Sequence, residues 1–107
     1  MAKKISLKHF LKAVASAGTQ EALSASTIWA KTIMIQAESS NTGIIYIGDS
    51  SVSSSDYAVE LAAGNSVSIE APPIGPGQVE ELDLADIYID ASVSTDGVSV
   101  GYLISDS

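Results

Sequence analysis

What most constrains this chain is a succession of short β-branched or alternating runs, each closed by turn residues. Such runs recur at roughly 8–12 residue spacing, the pattern of a sandwich or barrel. Long helical periods between them are missing, which argues against a parallel α/β sheet. The run 32–49, TIMIQAESSNTGIIYIGD, sets the pattern. It reads as a hairpin: an alternating strand over 29–37, the turn residues Ser39, Ser40, Asn41, Thr42 and Gly43, then Ile44, Ile45, Tyr46 and Ile47. The last four are apolar on both faces, as in a central strand covered on both sides.

Further strands follow. A short one is expected within 20–25 and another at 57–61; in 66–70, Val67 and Ile69 alternate inward against polar neighbours. The prolines of 72–77 predict a loop, because proline cannot donate to a sheet ladder. Residues 86–91 alternate again, and Ser94-Thr95-Asp96-Gly97 carries the strongest hairpin signal in the chain. Val98, Val100, Tyr102 and Ile104 form the inward face of a last strand. The serine-rich stretch 48–56 reads as a mobile loop with Val52 tucked inward. The expected fold is all-β: a seven- to eight-stranded antiparallel β-sandwich, jelly-roll-like, preceded by an N-terminal arm or short helix.

That N-terminal segment, 1–18, differs from the domain expected over 19–107. Leu7, Phe10, Leu11 and Val14 fall at helical spacing, and Lys4, Lys8 and Lys12 repeat every four residues. Ser6 could cap such a helix, and an extended arm is the competing reading. The apolar part is broken by Lys8, His9 and Lys12, so a secretory signal is not expected, and no apolar run reaches the ~20 residues of a membrane helix. With 107 residues, one core can form without staples. Cysteine is absent, which excludes disulfides and thiolate metal sites.

Charge is divided along the chain. The first 31 residues hold all five lysines against one acid, Glu21, for a net +4; the remaining 76 hold twelve acids and no base, for −12. A body of that sign repels nucleic acid, whose binders cluster Lys and Arg.

Candidate chemistry is sparse. Gly48-Asp49-Ser50 matches the start of a lipase-like serine hydrolase motif, but the one histidine, His9, lies upstream in the basic segment and no base follows. The tripeptide reads more simply as a strand end and turn. Glu80, Glu81, Asp83 and Asp86 could attract a hard cation, yet their spacing matches no calcium loop, and a solvated acidic edge is the plainer reading. Trp29 and the tyrosines at 46, 57, 88 and 102 could stack on sugars or anchor an interface, with packing as the default. Gly75-Pro76-Gly77 lacks the Lys-Ser/Thr of a phosphate loop. No catalytic, cofactor-binding or metal residues are expected, and a structural or binding role is.

Three segments carry a resemblance: ESSNTGIIYIGDSSVSS, AVELAAGNSVSIEAP and LDLADIYIDASVSTDGVSVGYL. They are similar to small virion proteins of tailed bacteriophages, with a strand ending in NTG-apolar-IYVG, an L-x-P-G turn, and DLsdIYVDA followed by GVsv-x-YL. Here Ala63 stands in place of the turn proline, and the lysine-bearing segment lies outside the match, which spans about residues 25–104. The resemblance implies a compact β-sandwich on the capsid exterior, a decoration or cement protein. Its partner would be the major capsid protein or another virion protein, in a homo-oligomer with a trimer favoured, with no nucleic acid, membrane or cofactor involved. On that reading Lys3, Lys4, Lys8, Phe10, Leu11 and Lys12 form a capsid-docking arm whose deletion leaves the domain folded. Ile44, Ile45, Tyr46 and Ile47 are the expected subunit-packing residues. A neck, tail or fibre-base component and a glycan-binding adhesin are the alternatives.

Overall fold

The computed structural model describes residues 4–71, 73–75 and 78–105. Within them every regular element is a strand except one 3-10 turn. The strands are β1 (Ile5–Ala13), β2 (Glu21–Ala22), β3 (Trp29–Ala30), β4 (Thr32–Ala37), β5 (Ile45–Gly48) and β6 (Val59–Leu61). After them come β7 (Ser66–Glu70), β8 (Pro73–Gly75), β9 (Gln78–Val79), β10 (Leu82–Asp83), the 3-10 turn Leu84–Asp86, β11 (Tyr88–Ala91) and β12 (Gly97–Ser105).

Two four-stranded antiparallel sheets carry the fold, in the orders β1-β12-β4-β7 and β2-β11-β5-β6. The pairings are nested. β5 pairs with β6, β4 with β7, β2 with β11, and β1 with β12. The chain is thus doubled back on itself about the 49–58 connection. Two further pairs, β3 with β10 and β8 with β9, lie outside these sheets.

One cluster of buried side chains joins the two sheets. Ile33, Ile35, Val98 and Val100 come from the first, and Ile45, Ile47, Leu61 and Ile89 from the second. Alternation explains the selection: in β4 the odd positions are buried, while Met34 and Gln36 are exposed and Thr32 is half-buried. Burying one such isoleucine contributes about 2–3 kcal/mol before the entropy of ordering it. Val67 and Ile69 pack at the margin, as do Tyr102 and Phe10, whose rings meet edge to face at 5.9 Å.

Several expectations need correction. The 32–49 run is not a hairpin: β4 and β5 belong to different sheets, and the turn residues between them carry the chain from one sheet to the other. The same holds for Ser94-Thr95-Asp96-Gly97, between β11 and β12, where Thr95 takes a positive φ of 74°. A sheet-changing corner and a hairpin need the same turn chemistry, so the local sequence does not separate them. The loop expected over 72–77 contributes the short strand β8; residues 72, 76 and 77 lie outside the described residues.

The N-terminal helix is also corrected. Ile5–Ala13 is a nine-residue edge strand in full antiparallel register with β12, from Ile5 opposite Ser105 to Ala13 opposite Gly97. The segment is part of the same sheet, not an arm beside it. Phe10 and Val14 turn inward at strand spacing, and the nine ladder positions outweigh the marginal stability of an isolated one-to-three-turn helix.

Candidate functional site

Asp96 organises the corner where the two sheets exchange strands. It is buried, and its carboxylate accepts from the backbone N–H of Thr42 at 3.2 Å and of Gly43 at 2.8 Å. Asn41 reaches the next residue with both ends of its amide: its Nδ2 donates to the Gly97 carbonyl at 2.8 Å and its Oδ1 accepts from the Gly97 N–H at 3.0 Å. Ser92 Oγ accepts from the Ile44 N–H at 2.8 Å. Both glycines are required by close approach. A Cβ on Gly43 would collide with Ser92 Oγ, and one on Gly97 would come within 2.6 Å of the Lys12 carbonyl. Asp90, also buried, accepts from the N–H of Gly18 at 3.0 Å and of Ala91 at 2.8 Å, tying the 14–20 loop to β11. These carboxylates are occupied by backbone donors, which is a structural use.

The acidic approach to β11 is dispersed in the same way. Asp83 caps the 3-10 turn, accepting from the N–H of Ala85 at 2.9 Å and of Ile28 at 3.2 Å. The Ala85 bond and then the Ile28 bond hold its carboxyl below the usual range. Glu81 lies 3.8 Å from Lys31 Nζ. Glu80 and Asp86 are exposed. Among the described residues no three His, Asp or Glu side chains converge on one point.

Gly48-Asp49-Ser50 opens a loop closed around the buried Val52, with Val52 N–H donating to the Asp49 carbonyl at 3.0 Å. Asp49 accepts from the Ser51 hydroxyl at 2.6 Å, which holds its carboxyl below the usual range. Gln20 Nε2 bonds the Ser50 carbonyl. The stretch expected as a mobile loop is therefore pinned at several points. Beside it lies a cleft of about 230 Å³ lined by Gly48, Asp49, Asp56, Tyr57 and Ala58. Tyr57 is exposed and its ring sits 5.2 Å from that of Tyr46. Its hydrogen bond with Glu60 pushes the phenol above its ordinary range.

The expected docking residues lie on two sides of one strand. Lys4, Lys8 and Lys12 share the parity of Phe10, which packs on the core; Leu11 points the opposite way, into solvent. Lys12 Nζ bonds Glu21 Oε1 at 2.8 Å, which depresses the Glu21 carboxyl, and Lys8 is exposed. Lys3 lies outside the described residues. Deleting 1–18 would strip β1 from its sheet and Phe10 and Val14 from the interior, so that deletion would not leave the domain intact. In β5, Ile45 and Ile47 are in the core, which leaves Ile44 and Tyr46 as the part of that run open to a neighbour.

An outward face escaped the sequence reading. On the β1-β12-β4-β7 sheet, three rows run across the strands: Leu7, Leu103, Thr32, Glu70; His9, Gly101, Met34, Ser68; and Leu11, Ser99, Gln36, Ser66. Ile5, Leu7, Leu11 and Met34 are 53%, 62%, 70% and 39% exposed. Gly101 lies between two of them: a Cβ there would be 3.3 Å from Met34 Cε, a tight contact, and 3.9 Å from Leu7 Cδ1, an ordinary one. Next to this apolar ridge is a shallow groove of about 270 Å³, lined by Met34, Gln36, Ser66, Ser68, Ser99 and Gly101 among others. The signal was present in the sequence: Ile5, Leu7 and Leu11 share odd positions, while Lys4, Lys8 and Lys12 share even ones. No protein-family model, curated protein or solved structure matches this chain.

Proposed function

We propose that this chain is a structural virion protein, a decoration or cement protein on the outside of a tailed-phage head. There it would bind the major capsid protein and stabilise the lattice as a homo-oligomer, a trimer being favoured. The observation that carries the reading is where the resembling segments meet. NTGIIYIG and STDGVSVGYL are distant in sequence, yet Asn41, Thr42 and Gly43 bond to Asp96 and Gly97 at one corner. Two of the resembling segments thus meet at one corner of the fold.

The nested pairing supports a jelly-roll sandwich as the underlying fold. Counting only the eight strands of the two larger sheets in chain order, neighbours are first, eighth, third and sixth in one, and second, seventh, fourth and fifth in the other. A doubled ribbon wound round a core produces that order. The acidic bulk of the chain suits an exterior position, away from packaged DNA. A cement protein stabilises the mature lattice only to the extent that it binds that state better than the immature one. Modest contacts repeated on each oligomer add up by multivalency. Lys8, exposed on β1, and Lys4, exposed just before it, are the proposed capsid contacts.

Immunogold labelling of intact tailed-phage particles with an antibody to this chain is expected to cover the head. Label confined to the neck or tail would move the protein to that rival position, and unlabelled particles would sink the virion reading. The glycan-binding alternative has one observation in its favour, the cleft beside the exposed Tyr57. Glycan-array retention that Tyr57→Ala abolishes would favour it.

A further inference from the structure

We infer that the outward face of the β1-β12-β4-β7 sheet is a contact between copies of this chain. The inference rests on the homo-oligomer part of the proposed function and gives it another symmetry, because a two-fold contact closes as a pair where the favoured trimer needs a three-fold one. Its first support is shape. The face carries both an apolar ridge on β1 (Ile5, Leu7, Leu11) and, from the neighbouring β12 across to β7, a groove floored by the small residues Ser99, Gly101, Ser66 and Ser68. A second copy turned about a two-fold axis lays its ridge over the first copy's groove and receives the first copy's ridge in its own. That is the self-complementarity an isologous interface needs.

Charge is the second support. The chain carries a net −8, so two copies repel each other over most of their surfaces. Of the twelve residues in the three rows, His9 and Glu70 alone can be charged. Lys4, Lys8 and Lys12 project from the other side of β1. This face is therefore where copies can meet without bringing their acidic surfaces together.

The area is adequate. Four strands about 4.8 Å apart and up to nine residues long at about 3.4 Å give roughly 500 Å² per copy, or about 1,000 Å² in all, the lower bound for a specific contact. Exposed leucines in this number are otherwise a liability on a long edge strand.

Sedimentation velocity of the purified chain, over a wide concentration range and without particles present, tests the inference. The wild type is expected to exceed the single-chain mass of 11.0 kDa. Leu7→Glu combined with Leu11→Glu should weaken association by about a hundredfold or more. Ser68→Lys, at an exposed groove position, should do the same from the other side. The circular dichroism spectrum should stay that of the wild type, since none of the three side chains is in the core, while the melting temperature falls by what association contributes. A wild type that remains one chain at the highest concentration overturns the inference. So do variants that associate as tightly as the wild type. Because no particle enters the measurement, its failure is distinct from failure of the virion reading.

Discussion

Asp96 and Asp49 both sit in turns beside a glycine, and both accept backbone N–H groups from residues nearby in space. Asp96 is closed off where the two sheets exchange strands, and its donors, Thr42 and Gly43, come from the opposite sheet's corner. Asp49 lies in water, and its donors come from its own loop, through Ser51. The bond types match, but the alternative partner differs. When Asp49 lets go, water takes its place; when Asp96 does, the half-buried Gly43 N–H loses its acceptor where water has less access. Burial, not turn chemistry, sets how much each carboxylate matters.

The largest expected effect follows from Asp96→Ala. Taking the acceptor from the Thr42 and Gly43 donors should cost about 2 kcal/mol. Thermal melts followed by circular dichroism should then drop by more than roughly 10 °C. A melt close to wild type would erase the distinction between the two aspartates.

Gly97→Ala tests the same corner through packing. Its Cβ would meet the Lys12 carbonyl at 2.6 Å, a backbone atom that cannot swing aside. A loss of about 2 kcal/mol is expected in urea unfolding, as β1 and β12 are forced apart at their first pair.

Asp49→Asn should shift the melting temperature at neutral pH by no more than about a degree, since the group is exposed. Its lowered carboxyl gives a second readout. A depressed native pKa means that the Ser51 bond is fully present above the ordinary carboxylate value and is lost as pH falls through the lowered one, below about pH 4. Carboxyl-carbon NMR should place the Asp49 midpoint below that of a free aspartate. A midpoint at or above it would mean that the loop does not hold Ser51 against Asp49 in solution.

Strand positions were largely legible, because period two survives wherever one face is buried, as at Ile33, Ile35 and Ala37 or at Val98 and Val100. Pairing was not. Asn41-Thr42-Gly43 and Thr95-Asp96-Gly97 announce that the chain turns, while the strand it turns toward is decided by distant partners such as β12 for β4. β1 was misread for a related reason. With Leu7 and Leu11 outward and Phe10 and Val14 inward, its apolar residues occupy both faces, and that mixture also fits a helical period. The outward ridge was hidden by the same ambiguity, since it becomes a face only once Gly101 and Met34 stand beside it. The buried role of Asp90 had no local signature, because its donor, Gly18, lies far away in the chain.

The nested pairing also bears on how readily each pair closes. β5 and β6 are separated by one loop, so their closure costs little chain entropy, whereas β1 pairs with β12 across almost all of the described residues. Before β12 joins it, β1 presents Ile5, Leu7, Phe10 and Leu11 without a sheet partner. Lys8 and Lys12 within that strand, and Lys4 just before it, keep such open chains apart by repulsion. Folding of this topology is dominated by distant contacts and is correspondingly slow, and the lysines act over that whole interval.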